Sequence, residues 1–201
     1  AIGKSSHDIF IENILQNPNY NIEDRRGRRI ITIDPPNSVD FDDGFGIEPI
    51  IDNENIQSGW TITIYIANVF VWLETLDLWD TFSHRVSTIY LPDRKRPMLP
   101  TILSDTLCSL QQKQNRFALA MDIIVDIQGK IIPQPTQYKN VLINVHKNYT
   151  YEEKKLVFSE PVYQKIYDIA YLMDKEVRNS HDMVAFWIMY MNAITGINMI
   201  N

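Results

Sequence analysis

Thr32-Ile33-Asp34-Pro35-Pro36-Asn37-Ser38-Val39-Asp40-Phe41-Asp42-Asp43-Gly44 places four aspartates within ten positions, between an apolar run ending at Ile33 and another beginning at Phe45. Carboxylates a few ångströms apart repel and raise one another's pKa, so a fold keeps them together only where water solvates them or a cation neutralises them. Pro35-Pro36 stiffens the turn, and Gly44 permits a tight passage into the next strand. A solvated acidic turn is one reading. A calcium loop of the EF-hand type is a second, but it requires a glycine one position after Gly44 and a glutamate where Ile51 stands. A phosphatase-type nucleophile at Asp40-x-Asp42 requires an apolar strand directly before it, which Pro36-Asn37-Ser38 is not. The remaining reading is an oxygen-only site for one or two Mg²⁺ ions serving phosphodiester hydrolysis.

On either side of this loop, residues 30–33 and 45–51 read as extended runs. Residues 61–71, rich in Thr, Ile, Tyr and Val, read as a strand; so do residues 117–127 and, after the turn Asp126-Ile127-Gln128-Gly129-Lys130, residues 137–145. Residues 71–85 lose the alternation and predict a short helix or irregular segment, after which Pro92, Pro97 and Pro100 enforce a loop. Near the start, Phe10, Ile11, Ile14 and Leu15 mark a short helix that Asn17-Pro18-Asn19 stops. Helices dominate the end: Thr150-Tyr151-Glu152-Glu153 has the form of a capping box, and Val162, Ile166, Ile169 and Met173 recur at helical spacing. Residues 183–200 form an apolar terminal helix whose unbroken apolar run stops at Met191, too short for a membrane span, so it reads as buried. Strands first and helices after make an α+β domain.

The charge count, 19 Lys and Arg against 25 Asp and Glu, gives a net charge of −6, and the hydrophobic share is 45%. That composition is globular and excludes a protein that coats nucleic acid by bulk charge, while leaving room for a local basic face. The length supports a true core, so no disulfide or metal staple is required. A single cysteine, Cys108, excludes an internal disulfide framework and zinc fingers, and it fits a reducing intracellular compartment such as the cytoplasm. His7, His84, His146 and His181 show no ligand spacing. The chain opens on Ala1-Ile2 without an initiator Met or a signal-peptide pattern and reads as an excerpt of a longer protein.

Thr32-Ile33-Asp34 followed by Asp40-Phe41-Asp42-Asp43 resembles the signature of the RNB domain, the catalytic domain of the ribonuclease II family. Tyr90-Leu91-Pro92, Pro97-Met98-Leu99-Pro100, Leu103-Ser104, Leu107-Cys108-Ser109-Leu110 and Arg116 resemble the second motif of the same family, in the same order. The similarity continues more loosely through Tyr65-Ile66-Ala67-Asn68-Val69, the strand after Arg116 and Thr150-Tyr151-Glu152-Glu153. The family usually writes His-Ile-Ala-Asp-Val-Ser where this chain has Tyr65-Ile66-Ala67-Asn68-Val69-Phe70. Its arginine-rich third block has no match before Asn201, and its flanking oligonucleotide-binding barrels are absent. The chain therefore resembles roughly the first two thirds of an RNB domain: residues 1–29 a lead-in helix and basic linker, residues 30–201 the partial catalytic domain.

The resemblance implies a curved, mixed, mostly antiparallel sheet from the first part packed by helices from the second. It implies a hydrolytic 3′-to-5′ exoribonuclease that uses Mg²⁺ and releases nucleoside 5′-monophosphates from single-stranded RNA. Asp34, Asp40, Asp42 and Asp43 fall on the family's four catalytic, metal-binding aspartates, with Asp34 and Asp43 on the better-ordered ion. Tyr90 falls on the tyrosine that stacks on the 3′-terminal nucleotide, a sequence-tolerant contact. Arg94 and Arg96, with Lys95 and with Arg25, Arg26, Arg28 and Arg29, are candidates to line the RNA path; a solvated basic loop is the alternative for each. The implied partner is single-stranded RNA, with no membrane, and a larger RNA-decay complex is compatible with it. The residues present are expected to bind Mg²⁺ weakly and to have little activity by themselves, because the third block's arginine is missing. Two rivals stand beside the enzyme: an inactive RNB-like RNA-binding or assembly module, and a structural loop stabilised by a metal. The presence of all four aspartates favours the enzyme.

Overall fold

Alternating β-branched and aromatic residues build a sheet whose two faces are both covered. The computed structural model describes residues 6–82, 89–93, 95–96 and 98–200. Its strands are β1 (Glu23–Asp24), β2 (Ile30–Asp34), β3 (Asp43–Ile51), β4 (Gln57–Ala67), β5 (Ile89–Tyr90), β6 (Lys95–Arg96), β7 (Asn115–Asp126), β8 (Tyr138–Asn144) and β9 (Lys147–Thr150). The helices are α1 (Ser6–Leu15), α2 (Val69–Thr75), α3 (Trp79–Phe82), α4 (Lys154–Ser159), α5 (Pro161–Met173) and α6 (Ser180–Ile200), with a π-helical segment at Ile102–Cys108. Among the described residues the main sheet has seven strands in the order β1-β8-β7-β4-β3-β2-β9, and β5 and β6 form a separate hairpin. The neighbours from β2 to β8 are antiparallel, while β1 runs parallel to β8 and β9 parallel to β2. This is the expected mixed, mostly antiparallel α+β arrangement.

On one face, Ile31, Ile33, Phe45, Ile62, Ile64, Met121 and Ile123 meet Val162, Ile166 and Ile169 of α5 and Met183 and Trp187 of α6. Trp187 is fully buried and donates its indole N–H to the Ile166 carbonyl at 3.2 Å. The sheet presents Ile30, Tyr65, Ala118, Ala120, Val141 and Ile143 to the other face, around Leu110. Beside that face, Ile11 and Ile14 of α1 pack with Val71 and Trp72 of α2, Leu103 and Phe117. Small residues admit the large ones: a Cβ on Gly46 would lie 3.2 Å from the Tyr65 ring, and one on Gly59 would lie 2.2 Å from the Val125 carbonyl oxygen.

Several local expectations change. Strand β4 stops at Ala67 instead of continuing to Val71, because Asn68 caps α2: its side chain accepts from the Val71 N–H at 3.2 Å and donates to Asn140 Oδ1 at 2.9 Å. Asn68 thus fills the capping role an aspartate would fill. Asn68→Ala is expected to cost about 1 to 2 kcal/mol, read as a lower denaturant midpoint at an unchanged slope. The capping box at Thr150 does not form; Thr150 ends β9, α4 starts at Lys154, and the Glu153 side chain is drawn to Lys147. The proline-rich stretch holds the β5–β6 hairpin before the π-helical segment.

Of the arginines read as candidates for an RNA path, Arg25, Arg26, Arg28 and Arg29 make ion pairs within the chain. Arg25, buried, holds Asp122 and Glu23. Arg26 pairs with Glu12 and Asp24, and Arg28 with Glu23. Arg29 binds Glu160 through both carboxylate oxygens at 2.8 Å, and Tyr149 donates to the same carboxylate at 2.7 Å. Residues before 30 are also part of the sheet, since β1 pairs with β8. On α6 the side away from the sheet is exposed, with Met189 at 65% and Met199 at 83%. Among the described residues no helix is long and apolar enough to cross a membrane.

Candidate active site

The acidic loop hangs between two antiparallel neighbours. Strand β2 ends at Asp34 and β3 begins at Asp43, with Ile31 opposite Phe45, so the pairing brings both ends of residues 35–42 together. Within the loop, the Ser38 N–H and hydroxyl both donate to the Pro35 carbonyl, and Asn37 takes φ 69°, a left-handed conformation that asparagine tolerates well. The second half is fixed from outside: the Ala67 N–H donates to the Asp42 carbonyl at 2.7 Å and the Leu110 N–H to the Phe41 carbonyl at 2.8 Å.

The four aspartates differ in burial. Asp34 is buried, Asp40 and Asp43 are half-buried, and Asp42 is exposed. Burial pushes Asp34 up to about 7; the Thr32 hydroxyl opposes this, and the charges of Asp43, Asp42 and Asp40 add to it. Burial, then the charge of Asp42, pushes Asp43 up to about 6. Asp34 Oδ2 and Asp43 Oδ2 are each buried without a hydrogen-bond partner. Tyr151 stands beside them: its N–H donates to the Asp34 carbonyl at 3.3 Å, and its hydroxyl is raised by burial and by the charges of Asp43 and Asp34. Burial raises the Cys108 thiol to about 12, with Asp40 and Asp42 contributing, so it stays protonated and is a packed core residue.

Among the described residues, no group of three or more His, Cys, Asp and Glu side chains is gathered closely enough to hold one ion. The donor chemistry nevertheless fits a hard divalent cation. The donors are carboxylate oxygens, those at Asp34 Oδ2 and Asp43 Oδ2 among the buried and unsatisfied ones, and a cation would remove both the orphaned acceptors and the mutual repulsion. Asp40, Asp42 and Asp43 stand near enough to Asp34 for their charges to act on it. Tyr90 and Arg96 lie in the β5–β6 hairpin, where Tyr90 pairs with Lys95 and Arg96 with Ile89; their side chains, and Arg94 entirely, are outside the described residues.

Sequence reading missed two neighbours. Thr32 lies two positions before Asp34 in a fully buried strand, so alternation places both on one face, and this signal was available. Asn148 carried none: it donates to the Thr32 hydroxyl at 2.8 Å and to the Leu110 carbonyl at 2.9 Å from β9.

The RNB domain family model matches residues 22–184. Exoribonuclease 2 of Mannheimia succiniciproducens is 36% identical over 124 residues, 58% of this chain and 19% of that protein. Ribonuclease R of Mycoplasmopsis pulmonis is 31% identical over 146 residues, 72% of this chain and 19% of that protein. The chain therefore spans about a fifth of the length of these curated relatives. Among solved structures, Mycoplasma genitalium RNase R in complex with ribose-methylated single-stranded RNA has a TM-score of 0.64 at 22% identity, covering 87% of this chain and 29% of that one. Yeast Ssd1, a pseudonuclease, has a TM-score of 0.57 at 17% identity, covering 74% of this chain and 18% of that one. Both are likenesses of fold. The family match begins just before β1, takes in the whole acidic loop and ends inside α6, and on that span the chain belongs to the RNB domain family.

Proposed function

We propose that this chain is the acidic catalytic segment of a metal-dependent 3′-to-5′ exoribonuclease that hydrolyses single-stranded RNA to nucleoside 5′-monophosphates. The observation that carries the proposal is the pair of buried, unsatisfied carboxylate oxygens on Asp34 and Asp43, at the base of a loop that also presents Asp40 and Asp42. A module that only bound RNA or assembled with partners would gain nothing from burying repelling carboxylates. The relatives named Exoribonuclease 2 and Ribonuclease R support the hydrolytic class.

Asp34 and Asp43 would hold one Mg²⁺, with Asp40 and Asp42 placing a second ion or the attacking water. When bound, Mg²⁺ lowers the pKa of that water and neutralises charge on the scissile phosphate. The chain's own residues prepare the site. The Thr32 hydroxyl favours the charged form of Asp34 against the effect of burial, and Asn148 holds that hydroxyl by donating to it. Asp42, the exposed member, can accept a proton from the attacking water.

Tyr90 would stack on the terminal base. Tyr90→Ala is expected to lengthen the final oligonucleotide without stopping the reaction, since one stacked base is worth about 1 to 3 kcal/mol. An unchanged product ladder on a denaturing gel would remove Tyr90 from contact with the terminal base. The test of the whole reading is degradation of a 5′-labelled single-stranded RNA by the full-length protein with Mg²⁺ and with chelator. The expected outcome is stepwise shortening from the 3′ end that the chelator stops. RNA that is bound but left intact would point to the non-catalytic module.

A further inference from the structure

We propose that Ser109, held in place by Arg116, is a positioning residue that sets the carboxylate loop in its working shape, an inference that rests on the hydrolytic reading above. Ser109 has no exposed surface and Arg116 only 4%. The Ser109 hydroxyl accepts from the Phe41 N–H at 3.1 Å and donates to the Val39 carbonyl at 3.3 Å. One hydroxyl therefore grips the main chain on both sides of Asp40. The following residue, Leu110, donates its N–H to the Phe41 carbonyl at 2.8 Å. Consecutive residues of the second sequence block thus fix the peptide units that aim Asp40 and Asp42. The Ser38 hydroxyl bond to the Pro35 carbonyl, within the loop, is by contrast exposed.

Ser109 is in turn fixed by its own surroundings. Its N–H donates to the Ser104 carbonyl at 3.1 Å, closing the π-helical segment, a rare geometry that often marks functional sites. Its carbonyl accepts from Arg116 Nε at 2.8 Å and from the Gln111 N–H at 2.7 Å. The other guanidinium bonds go to the Asn115 carbonyl and the Gln111 side chain, so a buried cation is spent on neutral acceptors, although burial disfavours its charge. Arg116 itself sits in β7, opposite Ile143 of β8. A continuous path therefore runs from the central sheet through Arg116 and Ser109 to Val39 and Phe41. Asn148 ties the same turn to β2, donating to the Leu110 carbonyl and the Thr32 hydroxyl and accepting from the Gln112 N–H at 2.8 Å. Both halves of the acidic site, Asp34 on β2 and Asp40 and Asp42 on the loop, are referenced to residues 109–112. Such referencing matters because displacing a reacting group by about 1 Å can cost on the order of a hundredfold in rate.

The test compares wild type, Ser109→Ala, Arg116→Gln and the double variant in the full-length protein. Ser109→Ala is expected to lower kcat on labelled single-stranded RNA by about tenfold to a hundredfold, with KM nearly unchanged. Because Arg116 acts through Ser109, the double variant should lose no more than the larger single loss. A readout independent of activity is amide hydrogen exchange of the metal-free protein. In Ser109→Ala the Phe41 amide should exchange faster while the β7 amides keep their wild-type rates. An active wild type with an unaffected Ser109→Ala, additive losses in the double variant, or exchange that rises throughout β7 would each overturn the positioning role. A wild type that leaves RNA intact in Mg²⁺ would instead overturn the hydrolytic reading, and the role of Ser109 in catalysis with it.

Discussion

Asp42→Asn in the full-length protein is expected to lower RNA hydrolysis by at least about a hundredfold, the usual cost of removing one well-placed catalytic group. Asp42 is the exposed member of the four, so the substitution opens no cavity in the core. Its carbonyl bond from the Ala67 N–H is a main-chain contact and survives. What the substitution removes is a charge and a proton acceptor. RNA affinity should stay within about threefold, because removing an acidic side chain takes away no cationic contact to the RNA backbone. Single-turnover cleavage and binding anisotropy at one salt concentration separate the two quantities. Near-normal turnover would remove Asp42 from the site, and a collapse of affinity would mean that it serves RNA binding instead.

The acidic loop was legible because its chemistry is contiguous: four aspartates and two prolines in one turn admit few explanations. The order of burial among those aspartates was not. It follows from β2 being buried along its whole length, with β3 on one side and β9 on the other. The hold of Ser109 on Val39 and Phe41 reaches across about seventy residues and ends on main-chain atoms, which carry no sequence signature. The arginines were legible as charges but not as ion pairs. Arg25 finds Asp122 at a separation of 97 residues and Arg29 finds Glu160 at 131.

The long central strands were legible from their alternation, and α5 from its helical spacing. The edges were not. Strands β1 and β9 have two and four residues and join the sheet in parallel, so no hairpin turn announces them. At Thr150 a local capping pattern lost to strand pairing with Asp34 and to the attraction of Glu153 for Lys147. At Asn68 the reverse happened, and a cap ended a run that β-propensity alone would have continued.

Without metal, the protein is expected to melt at a higher temperature at pH 5 than at pH 8. Asp34 and Asp43 are raised to about 7 and about 6, whereas unfolded aspartates titrate near 3.9. Between those limits the folded state keeps protons that the unfolded state has released, so stability falls as pH rises. The stabilisation is fully present near pH 4 and is lost once pH passes about 7, each tenfold difference in proton affinity between the folded and unfolded chain being worth roughly 1.4 kcal/mol. The opposing carboxylates, Glu23, Asp24, Asp122 and Glu160, are held below their ordinary values, so their contribution fades only at lower pH and leaves the comparison of pH 5 with pH 8 clear. Mg²⁺ should replace the protons: it should raise the melting temperature more at pH 8 than at pH 5, and its binding should release protons. Asp34→Asn should make the metal-free protein more stable than wild type at pH 8, flatten its pH dependence and remove most of the stabilisation by Mg²⁺. A wild-type melting temperature in chelator that stays level or rises from pH 5 to pH 8, or an Asp34→Asn variant with the wild-type slope, would show that these carboxylates do not carry the strain their burial implies.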